Sequence, residues 1–425
     1  MSTLDPPRIT IALPTLGCKV NRYDSDALAR ALSARGYCIV PANQPADVYI
    51  VNTCTVTGAA DAKSRKTWRH VRQLNARARV ILTGCYASLA PETLAALDGI
   101  DAVVPITAQE SIPELIAQWL PVASAGASLP SGLTASLVAR TRATVKVQDG
   151  CNLRCAFCAV TLARGPVRSR PLPTVLAELR ALVAAGVPEI VLTGVRLDAY
   201  GLDGGARLAE LVDATRALAI PRLRLSSLEP IGIHPPLIAA LAAHPALCHH
   251  FHVCLQSGDD GVLRAMRRGY SAERYRRILG ALRAAMPEAT FTTDVIVGFP
   301  GETDAAFART CALIEELGFI KLHIFKFSAR PGTDAAGFPG QVGEALKEAR
   351  RGELFALERQ LFRRYASGCV AQRVAVLVER TGARGEGLTA EYVRVFAPFP
   401  AGSRGMIHPA IVTEIGDDFL RAIPA

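Results

Sequence analysis

Residues 150–158, GCNLRCAFC, place three cysteines, Cys151, Cys155 and Cys158, within eight positions directly after the apolar run ATVKVQ at 143–148. A structural zinc site takes four protein ligands, and neither a histidine nor a fourth cysteine lies near this run. A cubane iron-sulfur cluster is also ordinarily held by four thiolates. Three thiolates therefore leave one iron with an open coordination position, and an open position on a metal is where chemistry happens rather than where a fold is stapled. Gly150 lets the backbone turn tightly enough for one loop to wrap one face of a cluster.

Downstream, strand-like runs alternate with helical patterns. After ATVKVQ come EIVLTG (189–194), RLRLSS (222–227), HFHVCLQS (250–257), TFTTDVIVG (290–298) and KLHIFKFS (321–328). Six strand-helix units predict a partial (β/α) barrel over 141–367, with its chemistry at the strand C-terminal ends. Those ends carry polar or glycine positions in apolar runs: Thr193 and Gly194 in TGV, Ser227 and Glu229 in SSLEP, Gln256 in LQSG, and Gly298 and Gly301 in VIVGFPGET.

Upstream, residues 1–125 repeat a strand-then-helix pattern. RITIALPTLGC, ADVYIVNTC and ARVILTGC are apolar runs ending at Cys18, Cys54 and Cys85, and the spacing is about one strand-helix unit each. If these strands are parallel neighbours in an open sheet, their C-terminal ends share the edge where such sheets bind ligands. The three cysteines then converge on a second metal site. Cys38, Cys248, Cys254, Cys311 and Cys369 are scattered and read as small core residues. Residues 126–140, rich in small residues, Gly and Pro, read as a linker. After the helical run EALKEARRGELFALERQLFRRYAS, residues 368–425 hold short strands parted by Gly and Pro, which predicts a small all-β barrel.

Composition narrows the class. Half of the 425 residues are hydrophobic, no run is long enough to span a bilayer, and MSTLDPPRIT has no basic and apolar leader. The expectation is a cytoplasmic protein in which the eleven cysteines form no disulfide framework, the clustered ones serving metal chemistry and the scattered ones packing in the core. The net charge of +10 favours an anionic partner. The basic excess lies in residues 126–367, with 30 basic and 22 acidic side chains, whereas 368–425 carries six of each and no lysine. Three basic runs, KSRKTWRHVR (63–72), ARGPVRSR (163–170) and RAMRRGYSAERYRR (264–277), suggest a phosphate-binding surface. Lys63, Arg65, Arg164, Arg168 and Arg170 are the candidate contacts.

The C-x3-C-x2-C run, with Phe157 as the aromatic before its last cysteine, resembles the radical S-adenosylmethionine (SAM) enzymes. In that superfamily the open iron binds the amino and carboxylate groups of SAM, whose reductive cleavage yields a 5'-deoxyadenosyl radical. The resemblance implies that Phe157, Thr193, Gly194, Ser227, Glu229, Gln256, Gly298 and Gly301 bind SAM, the two late glycines giving room for adenine. With the N-terminal trio and the C-terminal barrel included, nearly the whole chain is similar to the methylthiotransferase family, the last part resembling a TRAM domain. That implies two [4Fe-4S] clusters, one on Cys18, Cys54 and Cys85 and one on Cys151, Cys155 and Cys158.

GCKVN (17–21), NTCTVT (52–57), QDGCN (148–152) and ARGPVRSR are most similar to the MtaB-type branch, which methylthiolates N6-threonylcarbamoyladenosine beside the tRNA anticodon. A two-SAM reaction is implied: one SAM methylates sulfur at the N-terminal cluster, and a second yields the radical that takes hydrogen from adenine C2, after which the base radical attacks the methylated sulfur. A flavodoxin or ferredoxin reductant is implied as well, with the sulfur donor unspecified. The alternatives are isopentenyladenosine in tRNA, a ribosomal-protein aspartate, or a non-catalytic iron-sulfur sensor that binds RNA.

Overall fold

The computed structural model describes residues 9–122 and 141–425; the expected linker at 126–140 and the first eight residues lie outside the described residues. The N-terminal sheet comprises β1 (Thr10–Ala12), β2 (Cys38–Val40), β3 (Val48–Thr53), β4 (Arg79–Gly84) and β5 (Ala102–Val103) in the order β2-β1-β3-β4-β5, every pair parallel. All six residues of β3 are buried, as a parallel sheet covered on both faces requires. Tyr49 and Val51 pack with Trp68 and Val71 of the helix Gly58–Leu74, while Val48 and Ile50 pack with Leu28 and Leu32 of the helix Lys19–Ala34. The strands predicted from the three cysteine-ending runs are the adjacent trio β1-β3-β4. Two further strands, β2 and β5, are too short to leave a period in the sequence.

The central region holds β6 (Arg142–Asp149), β7 (Arg168–Ser169), β8 (Glu189–Gly194) and β9 (Arg222–Leu225) in the order β7-β6-β8-β9, and β10 (His250–His252), β11 (Thr290–Val297) and β12 (Lys321–Lys326) in the order β10-β11-β12. Isolated parallel bridges, Leu223 to Leu247 and Leu228 to Val253, join the two sheets. Six parallel strands thus form an open arc, and the short β7 pairs antiparallel at its edge. RLRLSS and HFHVCLQS stop being strand earlier than the sequence suggests. Ser227 of the first lies past its strand, Gln256 of the second keeps an isolated bridge to Val295, and both line the cavity described below.

The C-terminal strands β13 (Arg373–Arg380), β14 (Gly382–Thr389), β15 (Arg394–Phe399), β16 (Ile407–Ile415) and β17 (Phe419–Pro424) close into a barrel. β14, GARGEGLT, does not read as a strand because glycine has weak strand propensity. Its glycines fit here because a Cβ on Gly385 would come within 2.6 Å of the Ala397 carbonyl oxygen, and one on Gly387 would strike that of Leu377. The barrel is docked by β9: Arg222 donates to the carbonyl of Leu388 (3.1 Å), and Arg224 to those of Ala390 (2.9 Å) and Thr389 (3.1 Å) while pairing with buried Glu189. Both guanidiniums are buried.

Candidate active site

Cys18 precedes the helix Lys19–Ala34, Cys54 follows β3 directly, and Cys85 opens the short helix after β4. Their convergence is enforced locally. Gly17 has φ +96°, and a Cβ there would lie 2.9 Å from the Cβ of Cys54 and 3.0 Å from its Sγ. Gly84, φ +93°, leaves no room for a side chain beside Asn52 and the Thr53 carbonyl. Asn21 ties the three ends together: its amide donates to the carbonyls of Leu16 (2.8 Å) and Thr53 (2.9 Å), and its Oδ1 faces the Cys85 sulfur at 3.9 Å. Ser64, from the basic helix, bonds both the amide and the carbonyl of Cys54.

The loop after β6 is held as closely. Gly150 has φ +70° and packs against the Pro166 carbonyl with no space for a Cβ. Gln148 donates to the carbonyls of Asp149 and Gly150, both at 2.6 Å, and accepts from the Arg196 amide at 2.9 Å. Ala156 bonds the Met266 carbonyl at 3.0 Å. Arg268 reaches the Cys155 sulfur at 3.1 Å and pairs with Glu229.

All six cysteines, each a free thiol, line one cavity of about 490 Å³ between the N-terminal sheet and the mouth of the arc. Phe157, Thr193, Gly194, Ser227, Glu229 and Gln256 line it as well. Gln256 holds φ 67°, an uncommon conformation for a residue with a side chain, of the kind found where backbone strain is retained at a functional position. Burial pushes the Cys158 thiol up to about 12 and the Cys85 thiol to about 11, the latter despite nearby Arg164. Sulfurs this buried carry charge only with a cation beside them. Two sets of three thiols around one cavity match the donor chemistry of two three-thiolate clusters.

Several expectations are corrected. Arg164 is not an outward phosphate contact: it is 1% exposed and bonds Asp149 (2.9 Å), Asp24 (3.0 Å) and Asn21 (2.5 Å), bridging the two halves of the site. Asp149 is accordingly held at about 2: burial alone would raise it, and Arg164 and Lys146 reverse that. Arg170 is half-buried on Glu178 and Tyr23, which leaves Arg168 as the exposed arginine of that run. The run at 264–277 is largely paired internally, through Arg267 with Asp334 and Arg276 with Glu316. Lys63 is exposed on the helix Gly58–Leu74, whereas Arg65 leans on the Tyr86 hydroxyl at 3.3 Å. Gly298 and Gly301 do not line the cavity. The space beside Gly298 is filled by the Lys347 side chain, and Gly301 turns against Gly340.

Comparison with known proteins now decides the family. Residues 10–105 match the family described as "Uncharacterized protein family UPF0004", and residues 145–314 match the Radical SAM superfamily. The threonylcarbamoyladenosine tRNA methylthiotransferase MtaB of Thermotoga maritima is 38% identical over 87% of this chain and 86% of that one, and that of Bacillus subtilis 39% over 84% and 82%. The chain belongs to the MtaB-type methylthiotransferase family. The ribosomal protein uS12 methylthiotransferase RimO of Roseiflexus castenholzii is also similar, at 34% over 91% and 88%. Among solved structures, the radical SAM methyltransferase TsrM of Kitasatospora setae has the same overall fold, with a TM-score of 0.55 over 75% of each chain at 16% identity.

In this methylthiotransferase the sequence motifs led to the cysteines but not to what surrounds them. Arg196 lines the cavity from outside every motif, while Asn21 of GCKVN and Arg268 of the basic run at 264–277 lie in quoted stretches that gave no hint of a role beside the thiols. Cys254, expected to be a core residue, also lies on the wall. It sits with His252 and Asp294, their ligand atoms within 4.8 Å of one another, and Asp294 is also 3.2 Å from His323. The HFHVCLQS run held both His252 and Cys254, but only the pairing of β10 with β11 brings Asp294 to them.

Proposed function

We propose that this chain converts N6-threonylcarbamoyladenosine to its 2-methylthio derivative in tRNA, next to the anticodon. The observation that carries the reading is the opening of both cysteine trios onto one cavity, since sulfur held at one site must meet a base activated at the other. Cys18, Cys54 and Cys85 would hold one [4Fe-4S] cluster and Cys151, Cys155 and Cys158 the other, with Phe157, Thr193, Gly194, Ser227, Glu229 and Gln256 around SAM. When bound, the clusters and SAM supply the radical chemistry and the sulfur. The chain's own part is positional. Gln148 and Gly194 shape the cysteine loop, Asn21 gathers the N-terminal trio, and Arg164 locks the two halves in register through Asp24 and Asp149.

The exposed basic face of the helix Gly58–Leu74 supports a tRNA backbone contact at Lys63, with Arg168 a second. A flavodoxin- or ferredoxin-type reductant and a separate sulfur donor complete the reaction, and the compartment is the cytoplasm. Among the described residues no helix is long and apolar enough to cross a membrane. The hydrophobic clusters of the N-terminal sheet and the arc, and that of the C-terminal barrel, which also takes in Ile320, Phe362 and Ala366, support units at 1–125, 141–367 and 368–425.

The test is nucleoside mass spectrometry of tRNA from a deletion strain. The 2-methylthio derivative should vanish and the unmethylthiolated nucleoside accumulate, both reversed by the intact gene. Unchanged tRNA with an altered ribosomal protein would overturn the reading in favour of the aspartate substrate. Failure of the reduced enzyme to form 5'-deoxyadenosine would leave only the sensor.

A further inference from the structure

Four side chains lining the cavity carry a permanent or near-permanent positive charge: Lys19, Arg164, Arg196 and Arg268. Three are already neutralised inside the protein. Arg164 holds Asp24 and Asp149, Arg196 holds Asp198 at 2.9 Å, and Arg268 holds Glu229. Lys19 differs. It is exposed and has no carboxylate within ion-pair distance among the described residues, and its ammonium stands 5.8 Å from the ring centroid of Tyr392. That ring belongs to the turn between β14 and β15, is stacked on His250 at 4.6 Å, and sits at φ 69°. The C-terminal barrel thus supplies an aromatic platform that faces the buried, Glu189-paired Arg224 guanidinium at 5.0 Å and also takes Lys19, whose attachment point is beside Cys18, a member of the N-terminal trio.

Resting on the function proposed above, we infer that Lys19, seated on Tyr392, is the specificity-determining contact for the carboxylate of the threonylcarbamoyl group. Adenosine presents no anion on its base edge. The threonylcarbamoyl substituent adds one, and a base brought with C2 between the two trios must place that carboxylate against a cavity wall. A carboxylate is tolerated there only beside an unneutralised cation, and the other three lining cations have partners. An ammonium on a flexible stem is a point charge that can follow a rotatable substituent, and the aromatic face keeps it in place without neutralising it. Phosphate of the tRNA backbone is the other anion Lys19 could meet, and the test separates the two.

Three anticodon stem-loops are compared on the cluster-reconstituted full-length enzyme: one with threonylcarbamoyladenosine, one with its methyl ester, and one with adenosine. The expected result is that esterification raises KM about tenfold for the unaltered enzyme and not at all for Lys19→Ala, with Lys19→Arg restoring most of the discrimination. Iron content and 5'-deoxyadenosine formation of each variant show that both clusters survive the change beside Cys18. If Lys19→Ala binds all three stem-loops equally more weakly, Lys19 meets phosphate and the inference is overturned. An ester penalty as large in Lys19→Ala as in the unaltered enzyme overturns it too. If the unaltered enzyme modifies none of the three, it is the proposed function that fails, a result distinct from either.

Discussion

The two cysteine trios each bring three thiols together, by opposite means. Cys151, Cys155 and Cys158 sit on one loop, so their proximity is a property of the chain, and the fold need only orient them through Gly150 and Gln148. Cys18, Cys54 and Cys85 come from three strand-helix units, and their proximity exists only once β1, β3 and β4 are paired. A site written into one loop survives damage elsewhere. A site assembled by a sheet depends on every contact that sets the register of that sheet.

The largest separation between the trios should appear on removing each in turn. Replacing Cys151, Cys155 and Cys158 by alanine should abolish 5'-deoxyadenosine formation. Replacing Cys18, Cys54 and Cys85 should leave that reaction measurable while eliminating the methylthiolated product, each variant retaining about half the iron of the intact protein, as two cubanes require. Equal iron in all three proteins would contradict the two-site arrangement.

The join between the trios comes next. Arg164→Ala leaves buried Asp24 and Asp149 with Lys146 as their remaining shared cation, so the loss should stay below the about 3–5 kcal/mol of a fully broken buried pair, and urea unfolding should show the midpoint falling accordingly. An unchanged midpoint would mean the bridge is not maintained in solution. Gly84→Ala forces a side chain into left-handed backbone against Asn52 and Thr53, at a cost of about 1–3 kcal/mol for the backbone alone. Iron should then be lost from the assembled trio before the loop trio, seen as a protein that still cleaves SAM but no longer transfers sulfur. The smallest effect concerns the outer face: Lys63→Ala with Arg65→Ala should weaken tRNA binding and lower the salt slope by about 1, since one phosphate contact contributes about that much and Arg65 is turned toward Tyr86. A slope that does not move would remove this helix from the RNA-binding surface.

The loop trio was legible because C-x3-C-x2-C needs no fold to be noticed. The assembled trio was legible at one remove, since three apolar runs each ended in cysteine and a parallel sheet aligns such ends. Basic runs were less informative. Counting charge cannot tell Arg164, buried between two carboxylates, from Lys63, which faces solvent, because burial depends on what packs over a residue from distant parts of the chain. Glycines misled in the same way at Gly298, where the space a missing side chain leaves is taken by Lys347, 49 positions later in the chain. Cys254 looked like an isolated core thiol until β11 set Asp294 beside it.

The sequence by itself therefore determined the chemistry: thiol number, the spacing within one loop, and strand ends bearing cysteine or polar groups, all carried by local order along the chain. Only the tertiary structure decided which of those groups share a cavity and which cations are neutralised within it. It also showed that Lys19 lines that cavity with no carboxylate beside it among the described residues. Charge neutralisation acts over a few ångströms in space, and residues that close in the fold are as far apart in the chain as Asp24 and Arg164.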